Sequence, residues 1–281
     1  MHRILFPVDF SEPCAATAPF VASMANLFDA SVTMLHVVDA PDLPRSNGAA
    51  AKAFRSLASH RCDEAGRRLE TWGEPELSSA ERLVCAGDVA AEIVKSAEAT
   101  QSDLIMMPTR GSGGMRRFLI GSVTAKVLHD AGCPVWTGVH LDRPHDPALN
   151  TPVLCAVNLA DENRESLRWA DGFARAAHVR LVVVHAMPPM ASGDGEGARE
   201  RLVRWHAQAL SALEDMLAEE EIQADVVLHA GEPPQVVAAS AERTHAALVV
   251  IGRGSAGGMS GSLKANAYSI VRSSPCPVVS V

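Results

Sequence analysis

Ile4-Leu5-Phe6-Pro7-Val8-Asp9-Phe10 returns 149 residues later as Val153-Leu154-Cys155-Ala156-Val157-Asn158-Leu159. At the same offset Val32-Thr33-Met34-Leu35-His36-Val37-Val38 returns as Leu181-Val182-Val183-Val184-His185-Ala186-Met187. Two separate segments in one register mark an internal repeat, and repeats decide the fold before any local pattern does. Three further matches extend it. Ala86-Gly87-Asp88-Val89 pairs with Ala230-Gly231-Glu232-Pro233, Leu104-Ile105-Met106-Met107 with Leu248-Val249-Val250-Ile251, and Cys133-Pro134-Val135 with Cys276-Pro277-Val278. The chain is one unit written twice, with small deletions in the second copy.

Inside each copy, short Val/Ile/Leu runs alternate with longer Ala/Glu/Arg-rich stretches of helical period. That alternation is the mark of strand-helix units and of parallel sheets buried on both faces. Strands are expected near 3–9, 31–38, 81–86, 103–107 and 134–139, with helices near 11–28, 50–72, 89–100 and 122–131. The second copy should repeat the strands near 153–158, 180–186, 224–229, 247–251 and 277–281. Ser11-Glu12-Pro13 opens the first helix with a capping hydroxyl and a proline in the first turn, where a missing N–H costs nothing. The expected fold is α/β: two tandem open five-stranded, mostly parallel sheets of Rossmann-like type with helices on both faces. The expected domains are 1–141 and 153–281, joined by a polar, proline-bearing linker at 142–152.

Composition narrows the function. A chain of 281 residues has room for two domains, each with its own core. The net charge of −8 repels phosphate backbones and anionic lipid, and 4% aromatic content leaves little for base-stacking platforms. No nucleic-acid or membrane partner is therefore expected. Six cysteines at 14, 62, 85, 133, 155 and 276 contain no C-x-x-C pair, which fits free thiols in a reducing compartment. The apolar run at the N-terminus is too short for a signal segment, and no run of 18 apolar residues occurs. A cytoplasmic location is expected.

In an open parallel sheet, ligands sit at the carboxyl ends of the strands, where the strand order reverses. Asp9 ends the first strand, and His36 and Val37 end the second. The fourth runs into Pro108-Thr109-Arg110-Gly111-Ser112-Gly113-Gly114-Met115-Arg116-Arg117-Phe118-Leu119-Ile120-Gly121-Ser122. Glycines let backbone N–H groups approach an anion, and a helix opening at Gly121-Ser122 adds unpaired donors, so this loop has the makings of a phosphate cradle.

Ile4 to Ser11, the Leu35-His36-Val37 strand end, the Gly111 to Ser122 loop and Cys133-Pro134-Val135 together resemble the universal stress protein family. The second copy resembles it too, so nearly the whole chain is covered in a tandem arrangement. The resemblance implies an adenine nucleotide alpha hydrolase-like fold and an adenine nucleotide ligand, ATP or AMP, with Mg2+ admitted as its counter-ion. Carried over by position, Asp9 and the backbone near Val37 meet adenine, while Gly111, Gly121 and Ser122 meet the phosphates. Pro108 stands where the family's loop has its first glycine. In the second copy Asn158 replaces the carboxylate, and Lys264-Ala265 occupies the position of Gly121-Ser122, which marks a degenerate site.

Three functions remain open on sequence grounds. One is a stress-response binding module whose surface changes with nucleotide occupancy. The second is slow ATP hydrolysis or phosphate transfer with Ser122 near the terminal phosphate, although no catalytic residue, P-loop, metal cluster or nucleophile elbow is recognisable. The third is a ligand-free structural or chaperone-like pair of domains. His36 and His185, equivalent in the two copies, are expected to make strand-end hydrogen bonds. The last strand of each copy is short and apolar, and an uncovered edge of that kind invites pairing. The resemblance implies that these edges pair within the chain, and a further homodimer is admitted.

Overall fold

The computed structural model describes residues 1–40, 48–110, 120–138, 150–159, 164–188, 196–253 and 261–281. The chain falls into two compact units, Met1–Pro147 and Ala148–Val281. In the first, β1 (Arg3–Pro7), α1 (Glu12–Phe28), β2 (Ser31–Asp39), α2 (Ala49–Thr71), β3 (Glu81–Gly87), α3 (Val89–Ala99), β4 (Leu104–Pro108), α4 (Ser122–Asp130) and β5 (Val135–Gly138) follow one another. The strand order is β3-β2-β1-β4-β5, so the order reverses between β1 and β4. Every described pair is parallel.

The second unit repeats this with β6 (Val153–Ala156), α5 (Arg164–Ala177), β7 (Leu181–Met187), α6 (Glu196–Glu219), β8 (Asp225–Ala230), α7 (Pro233–Thr244), β9 (Leu248–Ile251), α8 (Gly261–Ser273) and β10 (Val278–Ser280). Its order is β8-β7-β6-β9-β10, again parallel throughout the described pairs. The α/β class and the mostly parallel sheets read from the repeat are what the chain adopts. Among the described residues, no helix is long and apolar enough to cross a membrane.

The cores are aliphatic, as the small aromatic content requires. Ile4, Leu5, Phe6, Met34, Leu104, Ile105 and Met106 are fully buried in the first sheet, and Val153, Leu154, Leu248 and Val249 occupy the matching places in the second. Cys14, Cys155 and Cys276 belong to these cores. Burial pushes each of their thiols up to about 12, which leaves them protonated and unreactive at neutral pH.

Helix starts follow the local chemistry. Ser11 caps α1 by accepting from the Cys14 N–H at 3.2 Å, with proline in the first turn. Asp88 caps α3 by accepting from the Ala91 N–H at 2.9 Å. The first strand, expected to reach residue 9, stops at Pro7. Phe10 adopts a left-handed φ of 60°, which throws the chain out of the sheet, and Leu159 does the same with the same φ in the second unit. A bulky residue rarely tolerates that conformation. Its presence in both copies makes it part of the scaffold.

Candidate functional site

The carboxyl ends of β1, β2 and β4 meet where the strand order reverses, and two prolines open the sheet there. Along β1 the even residues turn toward β2, as the Val8 N–H to Leu35 carbonyl bond at 2.8 Å shows, so Pro7 turns toward β4. Along β4 the odd residues turn toward β5, with Ile105 donating to Pro134 and Thr109 to Gly138, so Pro108 turns toward β1. Neither proline has an N–H to give. Pairing between β1 and β4 accordingly ends at Leu5 and Ile105, whereas β6 and β9 in the second unit pair as far as Ala156 and Ile251. This switch point, where an open parallel sheet has its crevice, is left without ladder bonds because two central strands carry a residue that sheet interiors exclude.

Asp9 stands at the mouth of this crevice. Its Oδ1 accepts from the Ser11 N–H at 3.0 Å and from the Ser11 hydroxyl, so it holds in place the residue that caps α1. Asp9 itself is exposed. The register carries Val37 to the same place, since Pro7 faces Leu35 and Asp9 and Val37 each lie two residues further. The next ladder donor to the Val8 carbonyl would be the N–H of Val37. Instead His36 Nδ1 reaches that carbonyl at 2.7 Å. A carbonyl only accepts, so Nδ1 is the protonated nitrogen, and the N–H and C=O of Val37 look out past the end of β1. His185 Nδ1 makes the same bond to the Val157 carbonyl at 2.9 Å. Both histidines thus make the strand-end hydrogen bond expected of them.

Gly121 is the N-cap of α4 and Ser122 its first residue. The Gly121 N–H donates to the Thr109 carbonyl at 2.8 Å, and the Thr124 hydroxyl donates to the Pro108 carbonyl at 3.2 Å. These bonds dock the N-terminus of α4 on the end of β4. Gly121 has φ −62° and ψ 150°, which any residue adopts, and a Cβ there would lie 3.5 Å from the Thr109 carbonyl oxygen, an ordinary contact. The protein's own packing does not require glycine at this position. Gly111 lies outside the described residues.

Across the crevice, Asp88 receives Lys126 of α4 at 3.0 Å besides capping α3. The Ala91 N–H and then the Lys126 ammonium hold the Asp88 carboxyl below its ordinary value. This pair ties α3 to α4 beside the strand ends.

Sequence reasoning missed an aromatic group on the α2 side. The Phe10 ring lies 4.6 Å from His36 and 6.2 Å from Trp72, and the Arg68 guanidinium sits 4.2 Å above its centre. The spacing of Arg68 and Trp72, four apart at the end of α2, was the available signal, since such a pair shares one helix face. The left-handed turn at Phe10 is what delivers the ring to them. An arginine over an aromatic face is an attractive pairing that steadies this turn.

The second unit departs from the first at several of these points. Asn158 follows β6, Ala186 replaces Val37, and Gly252 replaces Pro108. α4 opens 11 residues ahead of Cys133, whereas α8 opens 15 residues ahead of Cys276, so α8 begins a full turn earlier.

Comparison with known proteins agrees with this architecture. The family model described as "Universal stress protein family" matches residues 1–137 and 150–281. A universal stress protein of Mycolicibacterium smegmatis is 26% identical over all of this chain and 97% of its own length. One from Methanocaldococcus jannaschii is 31% identical over 47% of this chain and 79% of its own. Among solved structures, a universal stress protein from Archaeoglobus fulgidus shares the fold with a TM-score of 0.65 and 22% identity, over 99% of this chain and 95% of that one. With two family matches that together span almost every residue, in the same two segments that the repeat delimits, the chain belongs to the universal stress protein family.

Proposed function

We propose that the first domain binds an adenine nucleotide, ATP or AMP, and that the protein is a cytoplasmic stress-response module whose surface changes with occupancy. The observation that carries this reading is the convergence of three features on one crevice. These are the outward-facing N–H and C=O of Val37, the exposed carboxylate of Asp9, and the docked N-terminus of α4 at Gly121 and Ser122. In this reading Val37 and Asp9 take the base and its sugar, and Gly111, Gly121 and Ser122 take the phosphates. A helix N-terminus supplies N–H donors and a positive dipole end to such an anion. Among the described residues, no group of three or more His, Cys, Asp or Glu side chains is placed to hold a metal. In this reading Mg2+ would accompany the phosphates as their counter-ion. Isothermal titration of the nucleotide-free chain with ATP and with AMP should give one site per chain. Two equivalent sites, or no heat with either, would overturn the assignment.

Domain pairing belongs to the same proposal. β5 and β10 are the outermost strands on one side of their respective units. We read them as edges that cover one another within the chain, which asks the second domain for strand chemistry and not for a phosphate cradle. A fragment of residues 1–141 should then self-associate at micromolar concentration. Light scattering that finds it folded and strictly monomeric across a wide concentration range would refute the pairing.

A further inference from the structure

β1 runs out of ladder bonds on both of its edges at the same height, and the two edges lose them by different chemistry. Toward β4 the donors are missing, because Pro7 and Pro108 have no N–H. Toward β2 the donor exists and its acceptor is taken. The last bond on that edge runs from the Val8 N–H to the Leu35 carbonyl, and a parallel ladder would continue from the Val37 N–H to the Val8 carbonyl. His36 Nδ1 occupies that carbonyl at 2.7 Å. We propose that His36 is a positioning residue for the ligand of the first domain: its imidazole stops the β1–β2 ladder one bond short and so keeps the Val37 backbone available to a nucleobase edge.

Phe10 completes the device. The ladder bond after that one would run from the Phe10 N–H to the Val37 carbonyl, and the left-handed turn at Phe10 carries that donor out of the sheet. The same turn brings the Phe10 ring to 4.6 Å from His36, at 34° between the planes, and the Arg68 guanidinium lies 4.2 Å from the centre of the Phe10 ring. A cation over a phenyl face is attractive, so the ring is fixed from behind and in turn backs the imidazole. A column of Arg68, Phe10 and His36 thus reaches from α2 to the Val8 carbonyl. Its two inner members free the two backbone groups of Val37, His36 the N–H and Phe10 the C=O.

The exchange of donors gains the sheet almost nothing. One neutral N–H to carbonyl bond stands where another of similar worth would have formed. What changes is the group left over, a backbone N–H beside the C=O of the same residue. A donor and an acceptor so placed match an edge on which a ring nitrogen neighbours an exocyclic amine. Without the imidazole the Val37 N–H would close on the Val8 carbonyl, and a ligand would bind only the fraction of molecules in which that bond is open.

The ligand half of this inference rests on the nucleotide reading of the first domain and the ladder half does not, so the experiment reads them separately. Amide hydrogen exchange of the ligand-free, full-length chain is followed by NMR for the unaltered protein and for His36→Ala, His36→Asn and His36→Gln, and each is then titrated with ATP. Asparagine puts an amide N–H where Nδ1 stands, and glutamine puts it where Nε2 stands. In His36→Ala and His36→Gln the Val37 N–H should become protected, with exchange slowed about tenfold, and ATP should bind about 3- to 10-fold more weakly. His36→Asn should keep both at the unaltered values. His185→Ala, which removes the matching bond in the second unit, should leave ATP binding unchanged. A histidine that only stabilised the sheet would give the opposite sign at Val37, since a loosened sheet exchanges faster. The proposal fails if Val37 exchanges no more slowly in His36→Ala, if asparagine and glutamine are equivalent, or if all variants bind ATP equally. Should His36→Ala not fold, the comparison of asparagine with glutamine decides. An unaltered chain that binds no ATP overturns the nucleotide reading and the ligand half with it, while exchange at Val37 still decides whether His36 stops the ladder.

Discussion

Asp9→Ala is expected to weaken ATP binding roughly 10- to 100-fold, the loss that follows when a hydrogen bond to an ionised group is removed at about 1.5–3 kcal/mol. Gly121→Val is expected to abolish it. The two act at opposite ends of the ligand. Asp9 offers a carboxylate at the mouth of the crevice, while Gly121 lies at the helix N-terminus on which a phosphate would rest. Because the Gly121 backbone suits any residue and a Cβ meets only ordinary contacts, valine should fold there. Its branched side chain would stand between phosphate and the N–H groups of α4. Asp9→Ala also removes the support of Ser11, so each variant's thermal unfolding must accompany the titration. Full binding by both variants, with native unfolding behaviour, would sink the site assignment.

Phe6→Ala should destabilise the first unit by about 3–5 kcal/mol, in the range for emptying an aromatic site in a packed core. Phe6 is 0% exposed, and its ring centre lies 5.8 Å from that of Trp72. Phe54, 46% exposed on α2, serves as the contrast, since Phe54→Ala should stay within about 0.5 kcal/mol. Urea unfolding followed by tryptophan fluorescence distinguishes them. Equal midpoint shifts for the two variants would contradict the core placement of Phe6.

The repeat was readable because the same strand ends recur at one offset, and a parallel sheet buried on both faces leaves continuous apolar runs that stand out. Where pairing stops is a different matter. Pro7 reads as one letter in an apolar run, and only its register against β4, with Pro108 facing back, shows that two missing donors coincide and end the ladder. The expected strand to residue 9 failed for a related reason, since a left-handed phenylalanine is not announced by residue type. That Asp9 and Val37 lie at strand ends and that Gly121 and Ser122 open α4 was legible because strand ends and glycine-serine helix starts have sequence signals. The ring cluster of Phe10, His36 and Trp72 was not, because its members come from three elements. The lost charge at Asn158 is visible in the sequence, while the end of the β1–β2 ladder depends on a side chain that reaches across from β2.

The parting of β1 and β4 gives the crevice a polarity. Each proline removes a donor and leaves an opposing carbonyl without its ladder partner, so the floor presents partial negative charge. The Cys14 thiol reaches the Pro7 carbonyl at 3.6 Å, and a thiol is a weak donor. At the rim, by contrast, α4 points the positive end of its dipole outward. In the proposed reading, a molecule with amino or hydroxyl hydrogens at one end and negative charge at the other enters hydrogens down and anion up. In the second unit the ladder runs on through Ala156 and Ile251, so the carbonyls there keep their ladder partners.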